Sequence, residues 1–396
     1  MVDQYSPLER EAEGQMLMNR RNFLAGAGGM TLAALLGGCQ RSPEASLRLA
    51  MLTNSVPAQL LRAFQQRPDR GGSIAVTPQE SLVGLYGLLQ RWHSQRQREG
   101  ATPAVADWVS LSDYWLAPAI RQQLVQPVDV SPLTHWDELA PVWPELVRRN
   151  AEGIPSADGS LWAVPYRWSH LVLLYDPTRL PRQSAQLSTW ADLLRPELAR
   201  RVVLPDHPRL VLGLAQKALG ASANGKDPAA VAGLEAFLAN LHRQVRVYDS
   251  NHYLETLIIG NATAVVGWSD DVLPMLKQYR HLAVAVPPEG TLLSAQLWVQ
   301  PEAEAPAASG EAGLPAAALN WLDFCLEDDF ATQLAIFGQS TSTRLWGVGP
   351  AQLPEPLQTP PALALAPDVA DQSEFLLPLA IAAEDRYRDL WQGLRA

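Results

Sequence analysis

Apolar residues alternate with polar ones from Leu47 to Met51, a strand pattern that ends at Thr53-Asn54-Ser55. A helix follows at Pro57, which suits a first turn, with Leu60, Leu61 and Phe64 on one face. Ser73–Thr77 reads as a second strand and Ala106–Ser110 as a third. Between them Leu82, Leu85, Leu88, Leu89 and Trp92 form the inward stripe of a helix over 82–92. Strands separated by helix-length crossovers predict a mostly parallel sheet covered on both faces. Ligands of such sheets sit beyond the carboxyl ends of the strands. Here those ends are Thr53-Asn54 and Leu111–Trp115, and the second also starts a helix.

Asp158–Pro177 breaks this rhythm. Asp158-Gly159 is a turn signal, Trp162–Val164 suits a short strand, and Pro165 is expected to interrupt it before the apolar run 171–175 begins another. The stretch suits a passage of the chain from one lobe to a second. Trp162, Tyr166 and Trp168 within it suit either the wall of a ligand cleft or an aromatic hairpin packed in a core. Beyond it, strands are expected at 202–204, 245–248, 262–267, 282–286 and 294–300, with helices at 209–219, 231–242 and 253–259. Their ends carry Pro205-Asp206-His207 and Trp268-Ser269-Asp270-Asp271. Residues 302–314, rich in Ala, Pro, Gly and Glu, read as a surface loop. Helices follow at 315–326 and 328–337, then a polar turn at 339–343, a Pro-rich loop at 347–361 and an amphipathic helix at 377–394.

The first 45 residues are set apart from this patterning. Arg20-Arg21-Asn22-Phe23-Leu24 is a twin-arginine export signal, and the uncharged run 25–38 after it is too short to span a membrane. Asn19 and Ala25 depart from the usual twin-arginine pattern, which keeps general secretion open. Leu36-Gly37-Gly38-Cys39 resembles the lipobox of bacterial lipoproteins. It implies cleavage of a 1–38 signal peptide, lipidation of Cys39, a short tether at 39–46, and export to the periplasm with a lipid anchor in the membrane. A net charge of −10 argues against nucleic acid and anionic lipid as partners. Cys39 and Cys325 are the only cysteines, so no internal disulfide is expected, and Cys325 sits in an apolar helical pattern as a small core residue.

Taken together, the residues resemble bacterial extracellular solute-binding proteins of ABC importers, nearest the spermidine/putrescine-binding branch. The resemblance covers about residues 46–396. It rests on the opening with Thr53, on Ala106-Asp107-Trp108-Val109 with Ser112-Asp113-Tyr114, and on Gln126-Pro127-Val128-Asp129 before Trp136. It continues through Asp158–Pro177, Trp190-Ala191-Asp192-Leu193, Gly260-Asn261-Ala262 with Gly267-Trp268, and Pro287-Pro288-Glu289-Gly290. It implies an α/β fold, a two-lobed clamshell in which each lobe is a mostly parallel sheet flanked by helices. The lobes it implies are 47–167 with 294–340, and 168–293 with 341–396. It further implies a monomer that closes about a hinge on a small polar or cationic solute, a polyamine or another amine or amide, and delivers it to an ABC transporter permease.

Carried over residue by residue, the resemblance places Thr53, Asp113, Trp115, Trp168, Trp268, Asp270, Gln296 and Gln339 at the ligand. Thr53 and Trp268 match pocket positions, and Trp115 keeps an aromatic wall where the family has Tyr. The family's acids are absent: Gln296 stands for an Asp, Ser294 for a Trp, and His207 and Leu210 for two acids. Asp113, Asp270 and Asp271 are the alternative acids, since a buried ammonium needs paired carboxylates. Each also suits a helix start. Trp268 suits lobe core as well as cleft wall, and His207 suits a hydrogen-bonded loop position. Trp92, Trp136, Trp143, Trp190, Trp321 and Trp391 read as packing residues on helices.

Seven histidines show no metal-type spacing, and no nucleophile elbow or phosphate loop is present. Iron-binding relatives use adjacent tyrosines, a pair this chain lacks. No cofactor, no metal and no enzymatic activity are expected. The alternatives are a degenerate clamshell serving as an envelope sensor or scaffold and, further off, a hydrolase built on two carboxylates.

Overall fold

The computed structural model describes residues 45–67, 72–99, 106–302, 314–353, 355–358 and 363–395. Ser46–Ala396 forms one compact unit. The expectations for the signal peptide and Cys39 fall outside the described residues, as does nearly all of the 302–314 loop.

Eight strands in chain order form the main path of a 12-stranded sheet: β1 (Leu47–Leu52), β2 (Ile74–Gln79), β3 (Trp108–Ser112), β4 (Val164–Tyr175), β5 (Val202–Leu204), β6 (Val245–Tyr248), β7 (Ala264–Trp268) and β8 (Leu292–Pro301). Their spatial order is β2-β1-β3-β8-β4-β7-β5-β6. β1 pairs parallel with β2 and β3, as the strand-helix alternation predicts. β5 pairs parallel with β6 and β7. The two parallel groups meet through β8 and β4, which run antiparallel to their neighbours.

β4 departs from expectation. It is one strand of 12 residues, buried throughout, rather than two strands parted by Pro165. Proline has no N–H to give the ladder. The register against β8 therefore shifts, Gln296 opposing Arg167 while Leu297 opposes Pro165, and Tyr166 is the extra residue of the bulge. The short strand expected at Trp162–Val164 lies instead at Ser160–Leu161. The polar turn at 339–343 contains a strand, Thr341–Ser342, paired with Trp168 and Arg167.

Packing divides along β4. One apolar cluster runs from Leu47 to Trp168 and takes in Leu293–Val299 and Ala318–Leu334. Past that point the strand's alternation feeds two others. Leu171, Leu173 and Tyr175 face a cluster with Trp190, Leu212 and Trp391, while Val172 and Leu174 face one with Val265, Leu257 and Leu273. Leu365, Val369, Ala370 and Phe375 join the first cluster, inside the range that the resemblance placed in the second lobe. Trp136, Trp143, Trp190, Trp321, Trp391 and Cys325 are buried packing residues.

Candidate functional site

Side chains of directly opposed residues in a sheet share a face. Ser112 of β3 opposes Gln296 of β8, which opposes Arg167 of β4, which opposes Ser342. One step along, Ser294 opposes Ser169. A polar row thus crosses the middle of the sheet on one face, while Leu111 opposes Leu297 and Ala295 opposes Trp168 on the other. Apart from Ser294, which is half-buried, every member of the row is buried. Polar groups withdrawn from water need partners, and the row supplies many of its own.

Gln296 Oε1 accepts the Tyr166 hydroxyl at 2.8 Å and Ser110 Oγ at 3.4 Å. Burial pushes the Tyr166 pKa up, which keeps that hydroxyl a donor. Its ring stacks on Trp298 at 4.7 Å and closes that end of the row. At the other end, helix α1 (Asp113–Arg121) starts directly from β3. Ser112 is its N-cap and accepts the Tyr114 N–H at 3.3 Å. Asp113 lies in the first turn, where its Oδ1 accepts the Ala295 N–H at 2.9 Å and the hydroxyls of Ser294 and Ser112 at 3.0 and 3.2 Å. Burial raises its pKa nonetheless, against the pull of those bonds and of the Arg149 charge.

Arg167 is 8% exposed and ties three elements together. Its Nη1 donates to the Ser55 carbonyl beyond β1 at 3.2 Å, and its Nη2 to Asp270 Oδ2 at 2.9 Å. Asp270 stands in the first turn of helix α2 (Ser269–Gln278), which follows β7 as α1 follows β3. Trp268 occupies the N-cap position of α2, so neither Asp270 nor Asp271 caps it. Asp271 accepts the Tyr253 hydroxyl at 2.7 Å, and desolvation beside the Asp270 charge raises its pKa to about 6.

The predicted ligand residues fall into two groups. Asp113, Gln296 and Asp270 are tied into or beside the polar row. Trp115, half-buried, stands at its α1 end against Tyr86 and Tyr114, with ring centroids at 4.6 and 5.8 Å. Tyr114 in turn meets His207 edge-on at 5.3 Å, joining α1 to the loop after β5. Trp268, half-buried, is opposite Leu171 where β4 leaves the first cluster. The remaining three lie elsewhere. Trp168 is on the other face, its Nε1 donating to the Ser342 carbonyl at 3.0 Å and its ring against Trp143 and Trp346. Thr53 is exposed and donates to Glu80 Oε1 at 3.0 Å. Gln339 is buried and, at φ 49°, ends the Leu334–Gly338 turn. Ser55, Ser169 and Ser342 stand in or beside the row without having been predicted. For Ser169 a signal was present, in polar residues at every second position of otherwise apolar strands: Ser110 and Ser112, Arg167 and Ser169, Ser294 and Gln296.

Comparison with known proteins agrees with this architecture. The profile of a family described as bacterial extracellular solute-binding protein matches residues 105–356. The spermidine/putrescine-binding periplasmic protein of Salmonella typhimurium is 25% identical over 315 residues, which cover 80% of this chain and 81% of that protein. Its Escherichia coli namesake is 24% identical over 283 residues, covering 72% and 73%. The solved spermidine/putrescine ABC transporter substrate-binding protein of Streptococcus pneumoniae superposes with a TM-score of 0.71 at 21% identity, over 88% of this chain and 98% of that one. A lipoprotein of Treponema pallidum superposes at 0.62 and 16% identity over the same shares. The fold is therefore that of the two-lobed periplasmic binding proteins. The chain belongs to the bacterial extracellular solute-binding protein family, and these curated relatives lie in its spermidine/putrescine branch.

Proposed function

We propose that this chain is the receptor of an ABC importer, exported to the periplasm, anchored through a lipid on Cys39, and closing two lobes on one small polar solute at the polar row. The observation that carries the reading is the row itself, Ser112, Gln296 and Arg167 buried side by side in the centre of an otherwise apolar sheet. It lies at the carboxyl end of β3, beside two helix N-termini, where sheets of this kind take their ligands. The lobes divide within β4 between Trp168 and Leu171, where the apolar clusters change hands, and the hinge lies there. Trp115 and Trp268 serve as aromatic walls. Trp168, Thr53 and Gln339 support the site from behind rather than touch the solute. The amine or amide solutes of the resemblance, the polyamines of the relatives among them, form the first panel to try.

A thermal-shift screen of polyamines, amino acids, quaternary amines and small sugars tests the reading. A solute at 100 times its Kd stabilises the native state by about 2.7 kcal/mol. Stabilisation that is lost in Gln296→Leu supports the proposed site, whereas a hit indifferent to that change would place the solute elsewhere. No hit, with a protein partner retained on pull-down, would favour the envelope scaffold.

A further inference from the structure

A diamine or polyamine carries two or more ammonium groups, and each one brought out of water must find its counter-charge in the site. The row and its neighbours hold three carboxylates, and each has a partner within the chain. Asp270 is held by Arg167 at 2.9 Å. Asp113 Oδ1 takes three donors from its own surroundings, at 2.9, 3.0 and 3.2 Å. Asp271 takes the Tyr253 hydroxyl at 2.7 Å. The amide oxygen of Gln296 is likewise engaged by Tyr166 and Ser110, which leaves its NH2 group as the end without a bond among the described residues.

The row is correspondingly rich in donors. An arginine carries five N–H groups, and among the described residues Arg167 spends one on Ser55 and one on Asp270. The side chain is 10% exposed, and its unbonded Nε is not among the fully buried atoms, so the remaining donors stay within reach of a solute. Donors held from water gain most from a charged acceptor, and the planar fork of a guanidinium meets a carboxylate in bidentate geometry. Gln296 is opposite Arg167 in the ladder, so its amide donors stand on the same face.

Resting on the receptor reading above, we propose that Arg167 is the specificity-determining residue of the cleft: its guanidinium takes the place of a ligand ammonium at Asp270 and holds its remaining donors for the carboxylate of a small solute. The cleft then selects against diamines and for carboxylate-bearing solutes such as amino acids and ω-amino acids. This follows from charge. A diamine brings a second cation to a site whose cation is built in, while a carboxylate completes the alternation of Asp270, Arg167 and ligand.

Putrescine and 4-aminobutyrate are a matched pair, of similar length, with one ammonium exchanged for a carboxylate. Isothermal titration of the purified chain with both, with spermidine and with the common amino acids should find a carboxylate-bearing probe bound at least about tenfold more tightly than putrescine or spermidine. Arg167→Met should weaken that probe by about 100-fold and strengthen putrescine, because Asp270 is released; Arg167→Lys, which keeps charge without the fork, should fall between. Circular dichroism of each variant checks folding, and the wild-type comparison stands if Arg167→Met does not fold. Tighter wild-type binding of putrescine or spermidine would overturn the role given to Arg167 and leave the receptor reading intact. So would binding confined to neutral solutes, or a carboxylate affinity that Arg167→Met does not change. Failure of every solute class to bind would overturn the receptor reading itself.

Discussion

His170 is the residue of β4 next to the point where its packing changes from one cluster to the others, and it offers a sharp test of how that point is built. Its ring is fully buried, and neither ring nitrogen has a partner among the described residues. Burial alone holds its pKa down to about 3, against 6.5 in an exposed histidine. The unfolded chain therefore takes up the proton first, and the native state loses stability as pH falls below about 6.5, until the folded-state value near 3 is passed. One pH unit over this span corresponds to about 1.4 kcal/mol, so acidification from pH 7 to pH 5 removes about 2 kcal/mol through this ring. His207, lowered to about 4 by burial and the Arg209 charge, acts in the same direction. Asp271, raised to about 6, acts against both, because its desolvation is relieved as it takes up a proton. His170→Leu removes one of these three contributions and keeps the volume nearly constant. Urea unfolding followed by tryptophan fluorescence at the two pH values, extrapolated linearly to water, gives the difference. The variant should be at least as stable as wild type at pH 7, since an unpartnered polar ring gives way to an apolar group, and should lose about 2 kcal/mol less on acidification. Equal losses in both proteins would refute the assignment of a buried, neutral imidazole at this point.

Three further outcomes are expected. Tyr166→Phe removes the hydroxyl that donates to Gln296 and meets Ser110 at 3.0 Å, and should cost about 1–3 kcal/mol in urea unfolding at pH 7, since it leaves buried polar atoms short of a partner. Gly267→Ala places a Cβ 2.2 Å from Tyr253 Cε2, so the ring whose hydroxyl donates to Asp271 must shift; a loss of about 1–3 kcal/mol is expected, and unchanged thermal stability would show that the ring yields freely. Cys39→Ala should release the mature protein from membranes in cell fractionation, and continued tight membrane association would refute the lipid anchor.

Much of the fold was legible because buried strands and amphipathic helices write their periods into the chain. β1, β2, β3 and the helices between them follow from alternation and from stripes such as Leu82, Leu85 and Leu89. Pro165 misled for a physical reason: a proline ends a strand only if the ladder cannot slip, and here a one-residue bulge lets β4 run on. Thr341–Ser342 went unseen because a two-residue strand has too little alternation to register, and only its tertiary neighbour β4 makes it one. At the site, Asp113 and Asp270 stand at expected strand ends, whereas Gln296 was singled out only through the resemblance, at a strand position where the family has an Asp. The partner of Asp270 was not found, because an ion pair between residues 103 positions apart leaves no local pattern. Trp168 is instructive in the same way: one position along a strand moves a side chain to the opposite face, so its neighbour Arg167 stands in the polar row while Trp168 packs on Trp143.

Everything proposed for this receptor depends on the solute binding at the polar row. A crystal structure of the chain grown with the strongest solute from the thermal-shift screen tests it most directly. That solute is expected within hydrogen-bond distance of Arg167 and Gln296, with Trp115 or Trp268 against it. Density for the solute in the open groove lined by Val128, Trp136, Arg148 and Leu161, with the row untouched, would contradict it.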